Sequence, residues 1–197
     1  MNNNRRPAND DFQTRRQFLR DTALATAGLA VGVQALASAD TPAKALNHNP
    51  DMEYRRLGRT GLMISAVCLG GHWKRIDTVV STAGGIDGPD FRTNRRDVVS
   101  RCIERGINYI DACTGSEVLV YSRALEGRRD QMHLGFSWFE EEMRNDNFRR
   151  AEKLLATLDK GMREARLDYV DLWRVTMHEQ SGQHAPPEVD EMMKALE

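Results

Sequence analysis

Arg105-Gly-Ile-Asn-Tyr-Ile-Asp111 is the stretch whose reading decides the fold. Residues 107–112 form a short, mainly apolar run that reads as a strand. It stands between two segments with helical patterning, near 95–105 and near 117–125. Working outward, residues 66–71 read as a short buried strand ending in two glycines, and 132–138 and 169–177 are again strand-like. Residues 148–165 have helical periodicity, and 187–196 begin as a helix with proline in the first turn. These are four β/α units in sequence. Such alternation predicts parallel strands joined by right-handed crossovers, with any site on the loops after the strand C-termini. The periodicity leaves a doubly wound sheet and a barrel both open. The first strand runs into Gly70-Gly71-His72 without a GxGxxG sequence, which counts against a Rossmann dinucleotide fold.

The N-terminus reads differently. Thr14-Arg-Arg-Gln-Phe-Leu-Arg20 precedes residues 23–33, all apolar or small, too short a run to span a bilayer core of about 30 Å as a helix. With Ala37-Ser38-Ala39 as a small-x-small cleavage site, residues 1–39 are expected to be a twin-arginine signal peptide. Cleavage is expected between Ala39 and Asp40, with export through the twin-arginine route to the periplasm or otherwise outside the cytoplasmic membrane. Residues 40–51, with Pro42, Asn47, Asn49 and Pro50, read as a linker, and 52–197 as the folded part.

A formal charge of −1 and an apolar fraction of 40% describe an ordinary globular protein, with no broad field for nucleic acid or an anionic membrane. Neither nucleic-acid binding nor stable membrane insertion is expected. Cys68, Cys102 and Cys113 are too few for a disulfide framework and lack zinc-site spacing, so they read as buried thiols and no metal is expected.

Three segments, in order, resemble the aldo/keto reductase family. Tyr54-Arg-Arg-Leu-Gly-Arg-Thr-Gly-Leu-Met-Ile-Ser65, two extended runs about a Gly and Thr-Gly turn, is similar to the hairpin that plugs the bottom of that family's barrel. Residues 105–111, followed by Gly115-Ser-Glu117 and Ala124-Leu-Glu-Gly-Arg-Arg-Asp130, resemble its second strand and helix. Leu167-Asp-Tyr-Val-Asp-Leu-Trp173 resembles its fourth strand. The resemblance implies an α/β fold, a partial (β/α)8 TIM barrel holding about the first four β/α units preceded by a β-hairpin. Such barrels need about 250 residues, so the 197-residue chain is expected to carry the N-terminal half only.

The family reaction is NADP-dependent carbonyl reduction. A tyrosine donates the proton, a lysine paired with an aspartate lowers that tyrosine's pKa, and a histidine orients the substrate. A phenol, with a pKa of about 10, needs such an ammonium neighbour to act near neutrality. By the resemblance Asp111 matches the aspartate, but Thr114 precedes the glycine where the tyrosine is expected. Ser137 stands at the lysine position and Thr176 at the histidine position, with His178 two residues on, facing the same side as a weaker candidate. Tyr121 falls in the second helix and reads as a packing residue. The resemblance therefore implies an oxidoreductase domain that uses NADP and a small carbonyl substrate, divergent or truncated here. The alternative is a non-catalytic half barrel, completed by self-association or by a C-terminal half-barrel partner. The loop 73–94 reads as an exposed insertion rather than a lid, and Glu140-Glu-Glu142 as a solvated charge run rather than a cation site.

Overall fold

The computed structural model describes residues 44–73, 75–178, 180 and 182–197; the expected signal peptide, its cleavage site and the start of the linker lie outside them. Strands β1 (Tyr54–Arg56) and β2 (Met63–Ser65) form an antiparallel hairpin, with Tyr54 opposite Ser65 and Arg56 opposite Met63. Gly58 and Gly61 take the positive φ values, 51° and 79°, that turn the chain between them.

The main sheet holds β3 (Leu69–Gly70), β4 (Tyr109–Asp111), β5 (His133–Phe136) and β6 (Leu172–Trp173), hydrogen-bonded in that order and all parallel. Helices α1 (Pro89–Glu104), α2 (Gly115–Ala124), α3 (Ala151–Ala165) and α4 (Pro186–Leu196) alternate with the strands. A doubly wound sheet reverses strand order at a switch point; this sheet never reverses, which is the sequence of a barrel wall. The fold is a partial, TIM-barrel-like α/β structure of four β/α units over a hairpin.

The stretch 105–111 shows how sequence becomes position. Gly106 takes φ 84°, and a Cβ there would lie 2.6 Å from the Tyr54 hydroxyl, so only glycine lets the hairpin close on the loop. Asn108 is fully buried. Its side chain donates to the carbonyls of Met63 (2.8 Å) and Leu46 (3.3 Å) and accepts the Ser65 N–H (2.9 Å), fastening the hairpin beneath β4. Ile110 faces the helices in the main core, with Leu134, Phe136, Val99, Val118 and Tyr121. Burying each such aliphatic side chain is worth roughly 1.5–3 kcal/mol. Tyr109 and Asp111, one residue to either side, face the opposite side of the sheet.

Two strands are shorter than expected. Residues 66–71 contribute only the two residues of β3, with Leu69 half-buried and Gly70 exposed, and residues 169–177 only the two of β6. Each has a described strand neighbour on one side alone, and a short strand at an edge keeps the unpaired backbone small. Helix α1 begins six residues before the expected 95, because Pro89 occupies its first turn and Phe91, 2% exposed, anchors it in the core. The insertion expected over 73–94 is correspondingly shorter and holds two 3-10 turns, Ile76–Thr78 and Gly85–Asp87. In α3, Gly161 lies where a Cβ would come within 2.5 Å of both Phe136 and Trp138, so helix and sheet approach there by virtue of a missing side chain. No helix among the described residues is long and apolar enough to cross a membrane.

Candidate functional site

The C-terminal ends of the parallel strands form a rim, where barrel enzymes build their sites. Asp111 ends β4, about one-third exposed, and its Oδ1 lies 2.6 Å from an Arg174 guanidinium nitrogen. Arg174 follows β6 and also donates to the Ala112 carbonyl (3.2 Å), so strands β4 and β6 are bridged across β5. The Tyr109 hydroxyl donates to the same Asp111 oxygen (3.1 Å). Burial, reinforced by the Asp111 charge and only partly countered by Arg174, pushes the Tyr109 phenol up to about 12. A phenol held there is a poor proton donor near neutrality.

The positions that the resemblance assigns to lysine and histidine meet in a closed cluster. Glu142, 1% exposed, accepts hydrogen bonds from the Ser137 hydroxyl (2.8 Å), the Trp138 N–H (2.7 Å), the Thr176 N–H (2.6 Å) and the Thr176 hydroxyl. Both hydroxyl hydrogens are thereby committed to the carboxylate. The 3-10 turn Phe139–Glu141 brings Glu142 back over the end of β5. The charge run at 140–142 is therefore not solvated as a unit. Glu142 is a buried acceptor, and Glu141 pairs with Lys160 (2.5 Å); adjacent carboxylates point in different directions, and one of the three happens to point inward.

Further round the rim, the His72 Nδ1 lies 2.9 Å from Glu117 Oε1, and the other Glu117 oxygen accepts the Cys113 N–H (2.6 Å). The Glu117 side chain is 4% exposed and that of His72 65% exposed, a buried carboxylate holding an open imidazole. Thr114 caps α2, its hydroxyl accepting the Glu117 N–H (3.2 Å). Burial pushes the Cys113 thiol up despite nearby Arg174, which disfavours a reactive thiolate; Cys102 is likewise raised by burial, and Cys68 is exposed rather than buried.

His178 lies beyond β6, its ring stacked on His184 at 5.4 Å and its backbone N–H donating to His184 Nε2 (2.9 Å). Its described partners are thus in the loop before α4, away from the Asp111–Arg174 pair. Burial, with the charges of Arg149 and His178, lowers the His184 pKa, consistent with a ring nitrogen that must stay unprotonated to accept. Thr114 takes a capping role where the family tyrosine is expected, and Tyr121 is fully buried, its hydroxyl on the Gly70 carbonyl (2.8 Å).

Among the described residues no group of three or more His, Cys, Asp or Glu side chains could hold a metal ion. The rim also does not fit a nicotinamide dinucleotide by itself. The Ser137 and Thr176 hydroxyls are committed to a buried negative charge and are not free for a carboxamide or phosphate, while Arg174 pairs with Asp111 through one terminal nitrogen and keeps a buried Nε without a partner.

No family model matches the sequence, and no curated protein matches it. A solved structure described as "Putative aldo-keto reductase from Pseudomona aeruginosa" is similar, with a TM-score of 0.48 and 17% identity. The match covers 78% of this chain and 58% of the other, so the chain spans less than two thirds of that protein's length.

Five rim residues, His72, Tyr109, Glu117, Glu142 and Arg174, were not singled out from sequence. Period-two alternation did hold a signal for two of them, since it sets Tyr109 beside Asp111 and Arg174 beside Thr176 and His178 on one face. No sequence signal distinguishes Glu142 from its two neighbours. The pairing of His72 with Glu117 spans two β/α units and has no local signature.

Proposed function

We propose that this chain is the first half of an aldo/keto reductase-like oxidoreductase, exported by the twin-arginine route to work outside the cytoplasmic membrane. Its rim receives a small carbonyl compound, but NADP-dependent reduction by the family tetrad does not run on these four β/α units alone. The observation that carries the reading is the cluster of Ser137, Thr176 and Glu142. Two hydroxyls and a buried carboxylate stand where a lysine and a histidine are required, and among the described residues no lysine ammonium lowers the pKa of Tyr109 or Tyr121. Loss of a general acid alone forfeits about 10² to 10⁴ in rate.

The full chain should therefore consume no NADPH above the uncatalysed rate when mixed with 4-nitrobenzaldehyde and followed at the absorbance of the reduced nicotinamide. Enzyme-dependent consumption would overturn this reading. A non-catalytic half barrel is the second reading, favoured by β3 and β6, whose outer edges have no described partner. Unpaired edges invite strand addition. A dimeric mass in solution, with no ligand turnover of any kind, would move the conclusion to that second reading.

A further inference from the structure

We propose that His72 is a proton-transfer residue of the rim, positioned by Glu117, and that it exchanges protons with a small carbonyl compound in the hollow beside it. The inference takes its ligand class from the function proposed above and adds the residue that would act on it. The hollow, about 270 Å³, is lined by Gly71, His72, Trp73, Thr114, Ser116 and Glu117. Its histidine is held from every side of its own segment. The Gly70 carbonyl accepts the Tyr121 hydroxyl at 2.8 Å. Trp73 packs edge-on against Phe91 (5.3 Å) and Tyr121 (6.1 Å). Gly71 lies so close to Glu117 that a Cβ there would be 2.0 Å from the carboxyl carbon. Glycine at 71 is what lets the carboxylate reach His72.

The Glu117 carboxylate lies 2.9 Å from Nδ1, and a ring lone pair facing it would be repelled, so in the neutral imidazole the hydrogen sits on Nδ1 and the lone pair on Nε2. The second Glu117 oxygen is fixed by the Cys113 N–H, which prevents the carboxylate from turning away. Thr114 and Ser116 hydroxyls lie 3.0 Å apart at the same hollow, and Thr114 accepts the Glu117 N–H, leaving its own hydrogen for Ser116 or a ligand oxygen. Gly70 pairs in register with Asp111, so His72 leaves the sheet on the strand beside Asp111, at the same end. In the proposed step Nε2 takes a proton from the carbon next to a carbonyl. The C–H electron pair becomes the C=C bond of an enolate, and the carbonyl π pair moves to oxygen. The proton on Nε2 exchanges with solvent, and return of a solvent-derived proton or deuteron from Nε2 to carbon reverses each change, with nothing oxidised or reduced.

The test uses the full chain with hydroxyacetone in deuterated buffer, following loss of the α-hydrogen signals by proton NMR. Wild type is expected to exchange about 10²-fold faster than His72→Gln, and Glu117→Gln, which can still accept from Cys113, is expected to fall between them. Equal rates for wild type and His72→Gln would overturn the proposal. Nitrogen NMR of the His72 ring gives a second readout that does not depend on the variant: an Nδ1-protonated neutral tautomer is expected, and an Nε2-protonated one would also overturn it. NADPH consumption is measured separately, so a failure of the functional reading and a failure of the His72–Glu117 pair are distinguishable.

Discussion

The two ends of the sheet use polar side chains in opposite ways. At the base, where strands begin, side chains hold neighbouring backbone together. Asn108 ties β2 to β4. Asp171 accepts from Arg129 (2.6 Å), His133 (3.1 Å) and the Leu134 N–H (2.8 Å), tying the approach to β6 onto the start of β5. At the rim, where strands end, three carboxylates gather donors: Asp111 with Arg174, Glu117 with His72, and Glu142, in a closed cluster, with Ser137 and Thr176. The base fastens hairpin and strands together, and the rim presents polar groups at the strand ends.

The largest expected effect tests whether the rim is only chemical. Glu142→Ala leaves two N–H groups and two hydroxyls without their acceptor in a buried place and should cost about 4 kcal/mol in urea unfolding. Asn108→Ala should cost about 3 kcal/mol and, unlike the rim change, should speed amide exchange in the β1–β2 hairpin. If both variants loosened the hairpin equally, the division between base and rim would be lost.

A pH titration sharpens the base. Burial raises the Asp171 pKa, but hydrogen bonds from His133, Leu134 and Arg129 outweigh it and bring the carboxyl to about 2, below its ordinary value. A carboxylate with a depressed native pKa contributes stability that is complete above its unfolded pKa of about 4. That stability drains away as pH falls toward 2, roughly 2 kcal/mol here. Asp171→Asn should be less stable at pH 7 and should flatten the stability profile between pH 4 and 2; an unchanged slope there would assign the acid sensitivity elsewhere. The smallest effect lies outside both ends. Arg166 closes α3 at φ 54°, a left-handed position that favours glycine, so Arg166→Gly should raise stability by up to about 1 kcal/mol in thermal melts.

The hairpin and strand at the base were legible, and the side-chain ties of base and rim alike were not, for a physical reason. The hairpin at 54–65 and the strand after Gly106 carry their geometry in local wording, whereas Asn108 and Asp171 reach partners 45 and 42 residues away. The strand order that separates a barrel wall from a doubly wound sheet was not legible, because period and length are the same in both. Asp111 could be placed by alternation and resemblance. Alternation sets Arg174 on a face but not against Asp111, and His72, Glu117 and Glu142 could not be placed, since each of the four acquires its role from a partner four to more than sixty residues away whose approach depends on a glycine, a 3-10 turn or the strand register. His178 was read by the same alternation, and its ring instead stacks on His184, in a loop that the strand pattern does not describe.

The most direct test of this account of the rim is a fluorescence titration of the full chain with NADPH, with the folded state checked by circular dichroism. With Ser137 and Thr176 committed to Glu142 and Arg174 to Asp111, the account predicts no saturable binding up to millimolar cofactor. Saturable binding at micromolar NADPH would contradict it and would mean that these four β/α units hold the cofactor after all.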